Sequence, residues 1–482
     1  VRPINAVSGE TIGEPGEKAF SPRWALASLA LAMLLSSLGV SIANVALPTL
    51  AQAFAASFQQ IQWVILAYLL AITVMIVTVG RLGDVLGHRR MLLAGMLVFS
   101  LASVLCGVAP TLWMLIAART AQGLGAAVLM TLTVALVAEI MPRERTGSAM
   151  GLLGTMSAVG TALGPSLGGI LIAGFGWRAI FLIMVPLGMT GFVLAYRHLP
   201  ARKPGAQANR AGFDGLGTLL LGLTLAAYAL AVTVRSERFG GLNLALLAAA
   251  FAGGGLFILS QARAASPLIR LAALRNAALS ASLAMNALVS TVMMATLVVG
   301  PFYLARALGL GEALVGITMS IGPIISALSG VPAGRLVDRL GAPFVIIIGL
   351  VAMAAGSLAV SMLPGMFGLV GYIAAITILT PGYQLFQAAN NTSVMMDVAE
   401  NQRGVISGML SLSRNLGLIT GASVMGAVFA LASGASDIAG AHAGAVAAGL
   451  RITFLVCAGL IIAALIAAFA SGMRPSPRQN PI

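Results

Sequence analysis

The chain has 482 residues, of which 59% are hydrophobic and 8% charged, with a net charge of +14. Soluble domains are about one quarter charged, so this composition leaves too little polar material to face water and excludes a soluble globular protein. No basic run is long or interleaved with aromatic residues, which excludes nucleic acid as the partner and leaves membrane topology to explain the charge.

Residues 1–23 are polar, hold Glu10, Glu14 and Glu17, and lack the basic-then-apolar order of a cleaved signal peptide. They read as a cytoplasmic lead. Crossing about 30 Å of hydrocarbon takes roughly 20 apolar residues. Fourteen stretches suit that length, at 24–47, 61–79, 90–108, 112–138, 147–173, 178–197, 215–234, 242–262, 278–304, 313–333, 343–362, 367–392, 405–432 and 449–471. Basic residues collect in alternate connections. Arg81, Arg89, Arg90, Arg143, Arg145, Lys203, Arg335, Arg339 and Arg403 fall on one side, while the other keeps Arg178, Arg235, Arg238, Arg306 and Arg451. The positive-inside rule then puts both termini in the cytoplasm. Cys106 and Cys457 lie inside apolar stretches and read as free, buried thiols.

One phrase occurs twice. Gly80-Arg81-Leu82-Gly83-Asp84-Val85-Leu86-Gly87 returns as Gly334-Arg335-Leu336-Val337-Asp338-Arg339-Leu340-Gly341, each after the second span of its half. The expected fold is therefore an all-α integral membrane protein of two pseudo-symmetric six-helix bundles, 24–198 and 276–472. A linker at 199–275 carries two extra spans, and 473–482 forms a cytoplasmic tail. Two such bundles rocking about a central site are how many secondary transporters work.

Glycines in the phrase allow a tight turn and close helix approach. Asp84 and Asp338 at the mouth can accept bonds from a helix N-terminus or pair with an arginine across the bundle. Such a contact, formed in one state only, is a latch; the alternative is a positive-inside loop with packing glycines. Arg119 and Arg414 lie inside spans, where an unpaired cation is costly. Each is either a brace between helices or a coupling residue. In span 12, Gln384, Gln387 and Asn391 share a helix face beside Tyr383, with Ser41 and Asn44 in span 1 and Asn286 and Met293 in span 9. Amides donate and accept, and methionine adapts to varied apolar ligands, so these residues form a candidate substrate cavity. The alternative is that the amides join helices.

Three stretches resemble the major facilitator superfamily. The first phrase, extended to Arg90, is similar to its loop 2–3 motif. Leu115-x3-Arg119-x2-Gln122-Gly123-x-Gly125-Ala126-Ala127 is similar to its second motif. Gly151-x8-Gly160-x3-Gly164-Pro165-x2-Gly168-Gly169 matches the antiporter motif of its exporters. Fourteen spans, with Ile42-Ala43-Asn44-Val45-Ala46-Leu47-Pro48 in span 1, point to the fourteen-span drug:proton antiporter branch. The resemblance implies a conformational gate at Gly80, Asp84, Gly87, Arg89, Arg90, Gly334, Asp338 and Arg339. It also implies a coupling role for Arg119, with Gln122 beside it, and a close-packed hinge between the halves at the span 5 glycines. Two departures stand out: Val85 and His88 replace residues that are basic in the family's motif.

Acids are informative by their absence. That branch usually carries an aspartate in span 1, where Gly39 stands, and often an acid in span 13, which has none. Asp84 and Glu139 are the remaining coupling candidates. The expected function is a secondary active exporter of small, fairly apolar molecules, working by alternating access with protons as a candidate coupling ion. A metabolite exporter or facilitator without proton coupling is the alternative, and a non-transporting membrane ligand sensor is an alternative of another class. No P-loop and no nucleophile–base pair stands in the sequence, so an enzyme is not expected, nor a cofactor or metal. The partners expected are a small-molecule substrate and the lipid bilayer, the protein itself being a monomer in a bacterial plasma membrane.

Overall fold

A computed structural model describes residues 22–141, 143–200, 214–233, 240–264, 267, 274–396, 403–434 and 442–471. The first 21 residues of the expected lead at 1–23, the loops 201–213 and 234–239 of the expected linker at 199–275, and the tail at 473–482 lie outside the described residues.

Among the described residues fourteen helices cross the molecule, numbered here in chain order. They are α1 (Pro22–Val45), α2 (Phe58–Leu86), α3 (His88–Val108), α4 (Leu112–Ile140), α5 (Arg143–Phe175) and α6 (Met184–His198). Next come α7 (Gly215–Thr233), α8 (Gly241–Arg263), α9 (Ala277–Phe302) and α10 (Glu312–Leu340). The long helical run Ala342–Met396 is two crossings, because Gly368 breaks it with φ 54° and ψ −128°. Its parts are α11 (342–367) and α12 (369–396). Then follow α13 (Arg403–Thr420), prolonged by a widened turn at Gly421–Met425 and a short helix at Gly426–Ala432, and α14 (Ala443–Ala470). Among the described residues there is no strand. The chain is a multi-pass integral membrane protein.

Local chemistry fixes several helix starts. Ser57 Oγ accepts from the Gln60 N–H while Gln60 Oε1 accepts from the Ser57 N–H at 2.9 Å, a reciprocal cap on α2. Thr111 caps α4, and the Asn276 side chain accepts from two N–H groups of α9. The repeated phrase corrects an expectation. It is not a loop: α2 runs to Leu86 and α10 to Leu340, and one glycine makes each turn. Gly87 (φ 93°) and Gly341 (φ 83°) adopt a backbone conformation that a side chain disfavours. Each donates its N–H back into the helix it ends, to Gly83 O and Val337 O.

The two phrases mark one side of the molecule, called here the phrase side; the opposite is the far side. Several contacts join the two halves on the far side. The Phe58 ring at the start of α2 meets Phe302 of α9 edge-on at 4.8 Å and Phe429 at 5.5 Å. Gln62 donates to Ala422 O at 2.7 Å. Near the far end of α5, Gly169 lies against Gly316 of α10, so closely that a Cβ on Gly169 would stand 2.9 Å from Gly316 Cα. These contacts bring α2 and α5 of the first half onto α9, α10 and α13 of the second on the far side. The inserted α7 and α8 pack on each other, and α7 lies against α2 and the Gly421–Met425 turn.

Candidate functional site

At mid-depth, between the halves, is a cavity of about 240 Å³. From the first half α1, α2, α4 and α5 reach it, with Ser37, Ser41, Ile72, Met130, Ser157 and Thr161. From the second half α9, α10, α12 and α13 contribute Met293, Thr296, Thr318, Ser326, Thr380, Tyr383, Arg414 and Asn415. Hydroxyls alternate with aliphatic and thioether groups, a wall that bonds polar atoms and also accepts apolar ones. Several hydroxyls already serve their own helices, as Thr161 does to Ser157 O and Thr296 to Met293 O.

The structure places the expected cavity residues unequally. Ser41, Met293 and Tyr383 line the cavity. Asn44 is fully buried off it and donates to Val40 O at 3.1 Å. Asn286 is also buried away, where it ties α9 to α13 through Leu410 O at 2.9 Å. Gln384 binds Ser326 in α10 through both its backbone oxygen and its hydroxyl. Gln387 donates to the Tyr383 hydroxyl at 2.9 Å, and Asn391 is exposed beyond it. The face of α12 that meets the cavity is therefore Tyr372, Ile376, Thr380 and Tyr383, one step round the helix from the amide face. Sequence reasoning missed Thr296, Thr318 and Thr380 because a lone threonine in a span carries no signal.

Arg119 is wholly buried and does not reach the cavity. Its Nε donates to Val64 O at 3.0 Å, and its Nη1 to Gly39 O at 3.1 Å and Gln122 Oε1 at 2.5 Å. The Tyr68 ring lies 4.1 Å from the guanidinium carbon. Gln122 continues the network to Ser103 Oγ at 2.7 Å. One arginine thus links α1, α2 and α4, and through Gln122 also α3.

The span 5 glycines have two faces. Gly160, Gly164 and Gly168 are set against α1 of the same half; a Cβ on Gly160 would lie 2.6 Å from Leu34 O, and one on Gly164 would overlap Ser41 Oγ. Gly169 and the Pro165 carbonyl instead meet α10 of the other half. The second face lies between the halves, and the first packs within one half. The surroundings of Gly151 lie outside the described residues.

At the phrase side, Arg89 donates to Tyr196 O at 2.6 Å, and Arg90, Asp338 and Arg339 are exposed. Gly80 and Gly334 leave room around them: a Cβ on Gly80 would find only Thr131 at 3.8 Å, and one on Gly334 nothing within 4 Å. The Asp84 side chain lies outside the described residues. Glu139 at the end of α4 bonds His88 Nδ1 at 3.0 Å, both half-buried. Among the described residues no ion pair joins the halves here.

Residues 29–422 match the Major Facilitator Superfamily. The chain belongs to that superfamily. It is 32% identical over 405 residues to an uncharacterized transporter, YebQ, of Escherichia coli, covering 83% of this chain and 88% of the other. It is 29% identical to the riboflavin transporter RibZ of Clostridioides difficile, covering 83% and 87%. To the multidrug efflux pump LfrA of Mycolicibacterium smegmatis it is also 29% identical, covering 84% and 80%. Among solved structures, a bacterial homolog of the human lysosomal transporter Spinster, inward-facing and occupied, superposes with a TM-score of 0.68 at 16% identity, covering 96% of this chain and all of that one. This major facilitator protein is a membrane transporter, not an enzyme.

Proposed function

We propose that this transporter is a secondary active exporter of small, fairly apolar molecules, driven by proton antiport. Its phrase side faces the cytoplasm of a bacterial cell, and its substrate enters the central cavity from there. The observation that carries the reading is that cavity: both halves line it at mid-depth, its wall mixes hydroxyl with apolar groups, and ring and glycine contacts join the halves on its far side. Similarity to a multidrug efflux pump supports export, and similarity to a riboflavin transporter supports a ring-bearing substrate. Glu139, bonded to His88, and Asp84 are the acids proposed to carry the proton, with the phrases as phrase-side gates.

One observation favours a second reading, transport without proton coupling: no carboxylate stands among the residues that line the cavity. Both readings meet one test. A compound expelled by pump-deficient cells expressing the protein is loaded into proteoliposomes of known orientation, and a pH gradient is imposed. Flux that follows the gradient supports antiport; flux indifferent to it leaves the second reading, and no flux removes export.

A further inference from the structure

We infer that the cavity selects organic anions, with the Arg414 guanidinium as the group that receives the negative charge. This rests on the export reading of the same cavity and names its substrate class.

Arg414 sits in the middle of a crossing helix, yet its side chain is exposed, and the surface it faces is the cavity it lines. Among the described residues it makes no ion pair, the one present being His88–Glu139. Arg119 provides the contrast within the same chain. That arginine is a brace, without exposure and bonded to two backbone carbonyls and an amide. Arg414 braces nothing. A cation at membrane depth is costly unless it is paired or faces water, and here it faces the space where a substrate sits.

The lining residues supply no compensating acid. A cavity with low-dielectric walls and one unbalanced positive charge attracts anions and repels cations. The planar fork of a guanidinium fits carboxylate, sulfonate and phosphate oxygens in pairs. The rest of the wall, Met293, Leu297, Met319 and Ile376 with threonine hydroxyls between them, suits an apolar body carrying that group. A cavity of about 150 Å³ holds one benzene ring, so 240 Å³ takes a two-ring body. The ligand class is an amphipathic organic monoanion.

The test uses the purified full chain in detergent and three probes of one shape: 2-naphthoate, 2-naphthylmethanol and 2-naphthylmethylammonium, with binding read by equilibrium dialysis. Naphthoate should bind best. Arg414→Gln should weaken naphthoate about 10- to 100-fold, the worth of a charged hydrogen bond, without weakening the alcohol; Arg414→Lys should restore part of the loss. If Arg414→Gln does not yield monodisperse protein, Met293→Glu serves instead, since a carboxylate on the same wall should reduce naphthoate binding and raise that of the ammonium probe. The proposal is overturned if the ammonium probe binds best to the wild type, if none of the three binds, or if these variants leave naphthoate unchanged. Efflux of the same probes from pump-deficient cells separates this proposal from the export reading. Expulsion of the alcohol or the amine but not naphthoate refutes the anion class and keeps export. Naphthoate binding through Arg414 with no efflux of any probe keeps the anion site and refutes export.

Discussion

The contact between Gly169 and Gly316 gives the sharpest prediction about the far-side seal. A Cβ on Gly169 would stand 2.5 Å from Glu312 O and 2.9 Å from Gly316 Cα; one on Gly316 would overlap Pro165 O and stand 2.9 Å from Gly169 Cα. All of these are backbone atoms and cannot turn aside. Ordinary contact between carbons begins near 3.5 Å, so a single methyl must part α5 and α10 by roughly half an ångström to one ångström. Overpacking of that kind costs about 1–3 kcal/mol, charged only to the state in which the helices touch. The balance between the sealed state and one open at the far side then moves about 5- to 150-fold toward opening. The assay is labelling of Met293→Cys by a membrane-impermeant maleimide applied from the far side. Both native cysteines are fully buried, so the background is low. Gly169→Ala and Gly316→Ala should each raise the labelling rate. Gly174→Ala, on the same helix with nothing within 4 Å of an added Cβ, should not. Unchanged rates in both test variants would refute the idea that this contact holds the far side shut.

Three further predictions rest on separate observations. Phe58→Ala removes a ring that is 2% exposed and packed on Phe302 and Phe429; the loss of about 3–5 kcal/mol falls on the sealed state, so the same far-side labelling should rise. Arg119→Lys should lower the thermal transition of the purified protein nearly as much as Arg119→Gln, because an ammonium cannot reproduce a fork that reaches Val64, Gly39 and Gln122; equal stability of the lysine variant and the wild type would sink the brace. Gly87→Ala and Gly341→Ala each put a side chain on positive-φ extended backbone (ψ 125° and 148°) at a cost of roughly 1–3 kcal/mol, so each should lower the melting temperature, measured by size-exclusion survival after heating.

The number of crossings was legible from hydropathy, because a span needs a length of apolar residues and little else. The turns were less so. Charge and glycine in the repeated phrase suggested a loop, but the alternation of Leu82, Leu86 and Val79 with polar residues is equally a helix face, and only the last glycine of each copy had to break it. The cavity was legible in part for a different reason. Periodicity places Gln384, Gln387 and Asn391 on one face but cannot say whether a neighbouring helix or a void lies opposite. At Gln384 the neighbour is Ser326 of α10, so the amide became a tie. The glycines of α5 show the same limit. Their spacing announced close packing, while the division between α1 and α10 depends on where Pro165 and Gly169 sit relative to a helix distant in sequence.

The inserted pair bears on how the halves can move. Along α7, Thr218 shares a hydrogen bond with Thr78 at 2.9 Å, and Thr233 accepts from Trp63 Nε1 at 3.1 Å. Both partners belong to α2, and they hold α7 near its two ends. Between them Tyr228 donates to Thr420 Oγ1 of α13 at 3.0 Å, its one side-chain bond to the second half. With two side-chain bonds and its larger packed face on α2, α7 is tied more closely to the first half, while it also lies against the Gly421–Met425 turn of the second. In a rocking motion that opens the far side, Gln62–Ala422 and the Phe58 contacts must part, and Tyr228–Thr420 lies on the same α2–α13 seam. The insert therefore lies over that seam, joined to the second half by one hydroxyl contact and by packing on the Gly421–Met425 turn. The hydroxyl contact is worth about 0.5–1.5 kcal/mol, a small tie beside the packing of α7 on both halves.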